Sequence, residues 1–408
     1  MILATAAHLW LPFTPMSSFD PNARTFVRAR GTQLTDARGH HTFDAISSVW
    51  TTIHGHGHPA IVAAIDHQAR TLDHATALGA ANDVAEALAG ELCAKTGLDR
   101  AFFSSDGASA IEAALKMAIQ FWQNTGHPER TRFLHLRSSY HGDTVGAMSV
   151  SDIPLFRSRF GALCFATLDD ANIREVLADP TLAAVIVEPL VQAAAGMQML
   201  APEAYDVLCG TRAPLLIVDE IATGFGRTGT LFAYEATAMQ PDIVCLGKGI
   251  TGGMLALSAT LTTARVYDAF LDDDSGQPRH FFHGHSYAAN PIACAAARAS
   301  LDLFAREGTL ANVTARAADL ATLLQPLHGH PRVRAVRQRG LMCGIELDES
   351  SLPPAGSSRT PAWRIADRLY ERGHFTRPIG KVVQLVPPLC VTADELAQFV
   401  DALLAELA

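Results

Sequence analysis

The chain has 408 residues, nearly half of them apolar and 18% charged, with a formal net charge of −9. That length and composition bury a large core and exclude a disordered chain, and the negative balance removes the general attraction to phosphate backbones that nucleic-acid binding needs. Seven scattered cysteines without a C-x-x-C pair read as reduced thiols of a cytoplasmic protein, not as a disulfide framework or a zinc site.

In chain order, "MILATAAHLWLPFTPM" lacks a basic start, and His8 and Pro12 break its apolar run, so it does not read as a signal peptide. No apolar stretch reaches membrane-spanning length, and no membrane partner is expected. "HGHGHP" (54–59) sets histidines two apart among glycines, with no cysteine or acidic partner nearby, and reads as a turn with no metal. "RAFF" (100–103) is a strand before a glycine turn. The helix over 110–123 then places Ile111, Ala114, Leu115, Ala118, Phe121 and Trp122 on one face. "RFLHL" (132–136), "AAVIVEPLV" (183–191), "PLLIVDE" (214–220) and "DIVCLG" (242–247) are short apolar runs, as expected of strands covered on both faces. Residues 293–327 read as one long helix followed by another. "VRAVRQRGLMCGIELD" and "VVQLVPPL" alternate like antiparallel strands, and a helix opening at Thr392, with Glu395 in capping-box spacing, closes the chain. The predicted fold is α/β. A large domain (45–303) carries a mostly parallel central sheet between helices, and a smaller α+β domain (304–408) is joined by the N-terminal segment (1–44).

In open parallel sheets, ligands sit beyond the C-terminal strand ends. Asp219 ends "LLIVD", Lys248 follows "DIVCLG", and the turn "SSDGAS" precedes the helix at 110. Lys248 is one of only four lysines, with Lys95, Lys116 and Lys381, among 32 basic residues. Taken singly, a lysine at a strand end is usually a solvated surface residue, and an Asp-Glu pair is often a cap. Taken together, the three features are what pyridoxal phosphate requires. A lysine forms an imine with its aldehyde, an acid holds the ring nitrogen protonated, and backbone N–H groups at a helix start receive the phosphate.

"LLIVDEIATGFGRTGTLFAYE", "PDIVCLGKGITGG" and "FFHGHSYAANPIACAAA" resemble class III (fold type I) pyridoxal-phosphate aminotransferases. More narrowly, "HLWLPFTPM", "SSVWTTIHGHGHP", "SSYHGDTVGAMSVSD", "EPLVQAAAGM" and "RPIGKVVQLVPPL" resemble the 7,8-diaminopelargonate synthase branch, which aminates 8-amino-7-oxononanoate in biotin synthesis. The resemblance runs from residue 8 to about 400. It implies small-molecule substrates and a homodimer with shared active sites. Lys248 matches the Schiff-base lysine and Asp219 the partner of the pyridine nitrogen. Gly107 and Ala108 match the phosphate-binding pair, and Tyr140 the aromatic residue against the ring. Gly284, His285 and Ser286 match a turn that the family inserts into the other subunit's site. Arg377 matches the arginine that takes the oxononanoate carboxylate.

The sequence departs from the family in three places. Phe13 and Val49 stand where members with "HPYT" and "SSWW" carry a tyrosine and a tryptophan that line the substrate pocket. The "LPFT" and "SSVW" versions resemble a branch that uses lysine, not S-adenosylmethionine, as amino donor, and lysine is slightly favoured here. Ala108 replaces a common serine or threonine, so one phosphate contact is lost unless Ser109 substitutes. The segment between Asp152 and Ala183 is shorter than usual. The same residues would serve another class III ω-aminotransferase acting on a diamine, ornithine-like or β-amino substrate, although "EPLVQAA" in place of "EPIQGE" weakens the ornithine option. A non-catalytic cofactor-binding protein is disfavoured by the presence of both Asp219 and Lys248.

Overall fold

The computed structural model describes residues 8–14, 16, 24–209, 214–273, 276–352 and 360–408. Strands β1 (Phe26–Arg30), β2 (Gln33–Asp36) and β3 (His41–Asp44) form an antiparallel ribbon. Helices α1 (Pro59–Thr71) and α2 (Asp83–Thr96) lead to β4 (Arg100–Ser104) and α3 (Gly107–Asn124). Then come β5 (Arg132–His135), β6 (Leu182–Val187), β7 (Leu215–Asp219), β8 (Ile243–Leu246) and β9 (Ser258–Thr262). Strands β4 to β9 make one sheet in the order β4-β9-β8-β7-β6-β5. β5, β6, β7 and β8 run parallel, and β9 runs antiparallel to both β8 and β4. β4 therefore points the same way as the parallel four. The C-terminal ends of β4, β7 and β8 share one edge of the sheet.

Every residue of β6, β7 and β8 is buried, as their apolar sequences require, and in β7 the burial extends to the terminal Asp219. The six residues expected on one face of α3 are all buried, while Lys116 is exposed. Apolar patterning misses β9. Its sequence, SATLT, places Ser258 and Thr260 in the sheet with no exposure. Their hydroxyls donate to the carbonyls of Asp106 (2.6 Å) and Ala110 (2.9 Å) at the start of α3. Hydrogen-bonded hydroxyls tolerate burial, so polar side chains here pin the helix start to the sheet.

Helices α4 (Pro291–Arg306) and α5 (Thr309–Leu323) are separated by Gly308 in the left-handed conformation. Beyond them lie β10 (Val333–Arg339), β11 (Met342–Leu347), α6 (Pro361–Glu371), β12 (His374–Phe375) and β13 (Val382–Leu385). α7 (Ala393–Leu407) ends the chain under a Thr392–Glu395 capping box. The antiparallel order β10-β11-β13 makes one small sheet, and β12 pairs parallel with β3 in another, β1-β2-β3-β12. The N-terminal ribbon thus shares a sheet with a C-terminal strand.

After β3 the chain makes a left-handed turn in which Ser47, Ser48, Val49 and Trp50 all have positive φ. Such backbone costs about 1–2 kcal/mol per non-glycine residue, and its surroundings hold it in place. Ser47 Oγ donates to the Val386 carbonyl at 2.6 Å and Ser48 Oγ to Asp44 at 3.0 Å. The fully buried Arg227 guanidinium donates to the carbonyls of Trp50 and Thr52, each at 3.1 Å, and to that of Pro387.

The β10–β11 hairpin turns at Gly340 (φ +57°), where an added Cβ would lie 2.5 Å from the Arg227 carbonyl oxygen. Gly39 (φ +83°) faces open space. Gly340→Ala is expected to cost about 3 kcal/mol and Gly39→Ala about 1 kcal/mol. Apparent melting temperatures of the two holoenzyme variants test this, and equal shifts would contradict it.

Candidate active site

A cavity of about 560 Å³ opens beyond the ends of β4, β7 and β8. It brings together Phe13, Val49, Gly107, Ala108, Tyr140, Asp219, Lys248 and Arg377. It does not include Gly284, His285 or Ser286, which lie on the loop before α4. Gly284 and Ser286 are exposed, and His285 Nε2 stands 3.4 Å from Ser105 Oγ.

Asp219 ends β7 buried. Its Oδ1 accepts the Ile221 N–H at 3.0 Å, and its Oδ2 meets His141 Nδ1 at 2.6 Å. A carboxylate accepts, so Nδ1 is the donor. His141 is itself buried, and its Nε2 has no partner among the described residues. Sequence reasoning did not single it out. Its only signal was adjacency to Tyr140 in "SSYHGD".

Lys248 follows β8 with φ 41° and sets its Nζ 4.8 Å from the centre of the Trp50 ring. No carboxylate pairs with it among the described residues. Burial lowers its pKa, against the pull of Asp219 and Glu188 in the other direction. The flanking glycines are packing requirements: a Cβ at Gly249 would lie 2.8 Å from Ile53 Cδ1, and one at Gly247 3.3 Å from Ile221 Cγ2. The other three lysines lie elsewhere, Lys95 and Lys116 exposed on helices and Lys381 paired with Glu346 at 2.8 Å.

At the start of α3, Asp106 caps the helix by accepting the Ser109 N–H (3.0 Å) and the Ser109 hydroxyl (2.9 Å). Both the N–H and the hydroxyl of Ser109 thus serve the cap. Gly107 approaches Ile221 so closely that a Cβ would sit 2.8 Å from Cγ2. What remains at the cavity is a backbone cradle with the helix's positive end behind it, a fit for a phosphate group.

Glu188, a second residue the sequence did not single out, lines the cavity while buried. It accepts the N–H groups of Tyr140 and Ala193, each at 3.1 Å, and burial pushes its pKa up to about 7. Tyr140 Oη donates to Asp143 at 2.7 Å, and burial raises the phenol as well. Phe156, carried by the 152–183 segment, packs edge-on against Tyr140 (5.7 Å) and Phe13 (5.1 Å) to make an aromatic wall. Arg377 stands at the cavity with Nη2 donating to the Phe13 carbonyl at 3.4 Å and with its guanidinium 5.7 Å from the Trp363 ring. Burial lowers its pKa, and no carboxylate pairs with it among the described residues.

The histidine turn needs one correction. Acidic partners do exist: His56 meets Asp44 at 2.8 Å and His58 meets Glu307 at 3.0 Å, while His54 bonds the Ser300 carbonyl at 2.9 Å. Glu307 was invisible because it lies 249 residues away in sequence. The three rings diverge to separate partners. Among the described residues, no group of three or more His, Cys, Asp or Glu is set to hold a metal, and no helix is long and apolar enough to cross a membrane.

Residues 17–407 match the aminotransferase class-III family. The chain belongs to the class III aminotransferases. As a fold type I member it is a pyridoxal-phosphate-dependent transaminase, and the lysine, the acid and the helix-start cradle fit that cofactor. This aminotransferase is 40% identical to the adenosylmethionine-8-amino-7-oxononanoate aminotransferase of Anoxybacillus flavithermus, over 95% of this chain and 92% of the relative. It is 41% identical to the Synechococcus elongatus protein of the same name, over 98% of each. The crystal structure of the Methanocaldococcus jannaschii protein of that name is similar with a TM-score of 0.90 at 36% identity, covering 98% of this chain and 96% of that one. The PLP-bound structure of an amine transaminase from an uncultivated Pseudomonas species is similar with a TM-score of 0.89 at 34% identity, covering 98% of each.

Beside Asp219, Glu220 is fully buried, accepting the Tyr234 N–H (2.7 Å) and the Thr223 hydroxyl (2.8 Å). Burial pushes its pKa from 4.5 up to about 7. A carboxyl raised on folding stabilises fully below its unfolded value, and that stability is lost as pH rises through about 7. Glu220→Gln keeps the shape without the charge. Between pH 5 and pH 8 the wild type should therefore lose about 3 kcal/mol more than the variant, read from melting temperatures at the two pH values. Parallel curves would refute the assignment.

Proposed function

We propose that this aminotransferase transfers an amino group to the 7-oxo carbon of 8-amino-7-oxononanoate in biotin synthesis, forming 7,8-diaminononanoate, with lysine ahead of S-adenosylmethionine as donor. One observation carries the reading. Lys248 shares its cavity with Arg377, a part-buried guanidinium that lacks a carboxylate partner among the described residues. A fork of donors beside an aromatic wall suits the far carboxylate of a long keto acid. The relatives' names support the acceptor.

Pyridoxal phosphate, when bound, supplies an aldehyde for the incoming amine and a ring that accepts the electron pair left by the departing α-proton. The amides of Gly107 and Ala108 would hold its phosphate, Asp219 its ring nitrogen and Tyr140 its face. His141 and Ile221 orient the Asp219 carboxylate through their N–H groups. Burial shifts Lys248 toward the neutral amine, the form that acts as a base. Its Nζ takes the α-proton from the donor and, in the second half-reaction, delivers a proton to C7 of the acceptor. Phe13, Phe156 and Tyr140 shield the reacting atoms from water.

The donor assignment rests on Val49, which the left-handed turn presents to the cavity. A tryptophan there would offer an aromatic face to a sulfonium cation, and valine offers none. Lysine needs no such face. The relatives' names carry adenosylmethionine, so this is where the proposal departs from them. Holoenzyme given 8-amino-7-oxononanoate with lysine, S-adenosylmethionine or a simple amine, with product followed by mass spectrometry, tests both parts. Lysine should support turnover, and Lys248→Ala should reduce it at least about 1,000-fold. Product from S-adenosylmethionine alone overturns the donor, and no product from any donor overturns the acceptor.

A homodimer with shared sites accounts for Gly284, His285 and Ser286 standing outside their own chain's cavity, next to the exposed side chains of Phe282 and Tyr287. Mixing Lys248→Ala with Ser286→Asp subunits should restore activity to about a quarter of wild type, because half of the random dimers contain one site with intact parts. No recovery after confirmed subunit exchange would count against sharing.

A further inference from the structure

We propose that Gln384 is a positioning residue that fixes the arginine end of the cavity relative to its lysine end, and so sets the preference for a substrate ending in a carboxylate. The inference rests on the reading of Arg377 as the carboxylate site. Gln384 lies on β13, is only 3% exposed and faces the same cavity as Trp50, Lys248 and Arg377. Its Oε1 accepts the Trp50 indole N–H at 3.0 Å, and its Nε2 donates to the Arg377 backbone carbonyl. An indole N–H can only donate and a carbonyl can only accept, so both neighbours dictate the same orientation of the amide. The Gln384 main-chain carbonyl also accepts the Thr376 hydroxyl at 2.7 Å, which anchors the residue before Arg377 to the same strand.

The consequence lies in what each end touches. The Trp50 ring is the surface beneath Lys248 Nζ, 4.8 Å away. Among the described residues, the Arg377 guanidinium has one long hydrogen bond, to Phe13, and a ring face at 5.7 Å. Its side chain is therefore weakly held, and its position follows from its backbone. One amide spans the two ends. Methionine at 384 would keep the volume and lose both bonds. Glutamate would keep an acceptor for Trp50 but oppose a second oxygen to the Arg377 carbonyl.

The test compares wild-type holoenzyme with Gln384→Met, Gln384→Glu and Arg377→Met. The acceptors are 8-amino-7-oxononanoate and an amino ketone of equal length ending in a methyl group. The Trp50 indole resonance is followed in protein carrying 15N-labelled tryptophan and assigned with Trp50→Phe. Gln384→Met should raise KM for the carboxylate acceptor about 10-fold with kcat within about 2-fold, leave KM for the methyl-ended acceptor unchanged and move the indole resonance. Gln384→Glu should raise the same KM while the indole resonance stays in its hydrogen-bonded position, and it decides the matter if the methionine variant does not fold. Arg377→Met should abolish the preference for the carboxylate. If it does not, the carboxylate reading of Arg377 fails. If it does, but the Gln384 variants leave KM unchanged or raise it equally for both acceptors, Gln384 has no positioning role.

Discussion

The cavity depends on one buried cation. Arg227 lies in the loop after β7, and its guanidinium gathers the carbonyls of Trp50, Thr52 and Pro387. Those three groups belong to the turn after β3 and the segment after β13, so a single side chain joins the N-terminal, central and C-terminal parts of the chain. Burial lowers its pKa to about 9, partly offset by the field of Asp44. Lysine could not take its place, because an ammonium lacks the planar fork that serves three carbonyls at fixed angles. The absence of a Cβ at Gly340 allows the hairpin to pass against the Arg227 carbonyl. A left-handed turn of four residues persists because this guanidinium, Asp44 and Val386 hold it on every side.

Around Lys248 the electrostatics are balanced, with neither effect acting alone. Asp219 and Glu188 favour its charged form, and burial favours the neutral one and prevails. The acids are in turn tied down by N–H groups, Glu188 by two amides and Asp219 by an amide and a histidine. A carboxylate already occupied with such donors attracts an ammonium less than a bare one would. That leaves a lysine able to act as a base in a site rich in acid.

The chemistry was more legible in the sequence than its supports. The all-buried strands and the face of α3 followed from apolar spacing alone. Lys248 stood out because lysine is scarce in this chain and glycines flank it. β9 was hidden because Ser258 and Thr260 satisfy their hydroxyls on helix carbonyls, a pairing that leaves no apolar periodicity. His141, Glu188, Arg227 and Gln384 were hidden for another reason. Each is defined by what it meets in space, and Gln384 meets Trp50 across 334 residues of sequence. Family resemblance reached the residues expected to touch the cofactor and passed over those that hold them.

A transaminase uses one cavity for two substrates in succession, and the distribution of rigidity here suits that demand. The floor is fixed: Trp50 and Gln384 are 5% and 3% exposed and bonded to one another. The mouth is different. Phe13 and Val49 are 53% and 47% exposed, and Phe13 packs edge-on against Phe156 and takes a long bond from Arg377. Side chains at such positions can shift rotamer at little cost, whereas moving the floor would break buried hydrogen bonds. The Trp50–Gln384 floor can thus stay constant while the mouth adapts to whichever molecule occupies it. On the proposed reading, selection between donors then falls to the residues at the mouth, and the shared chemistry to those beneath them.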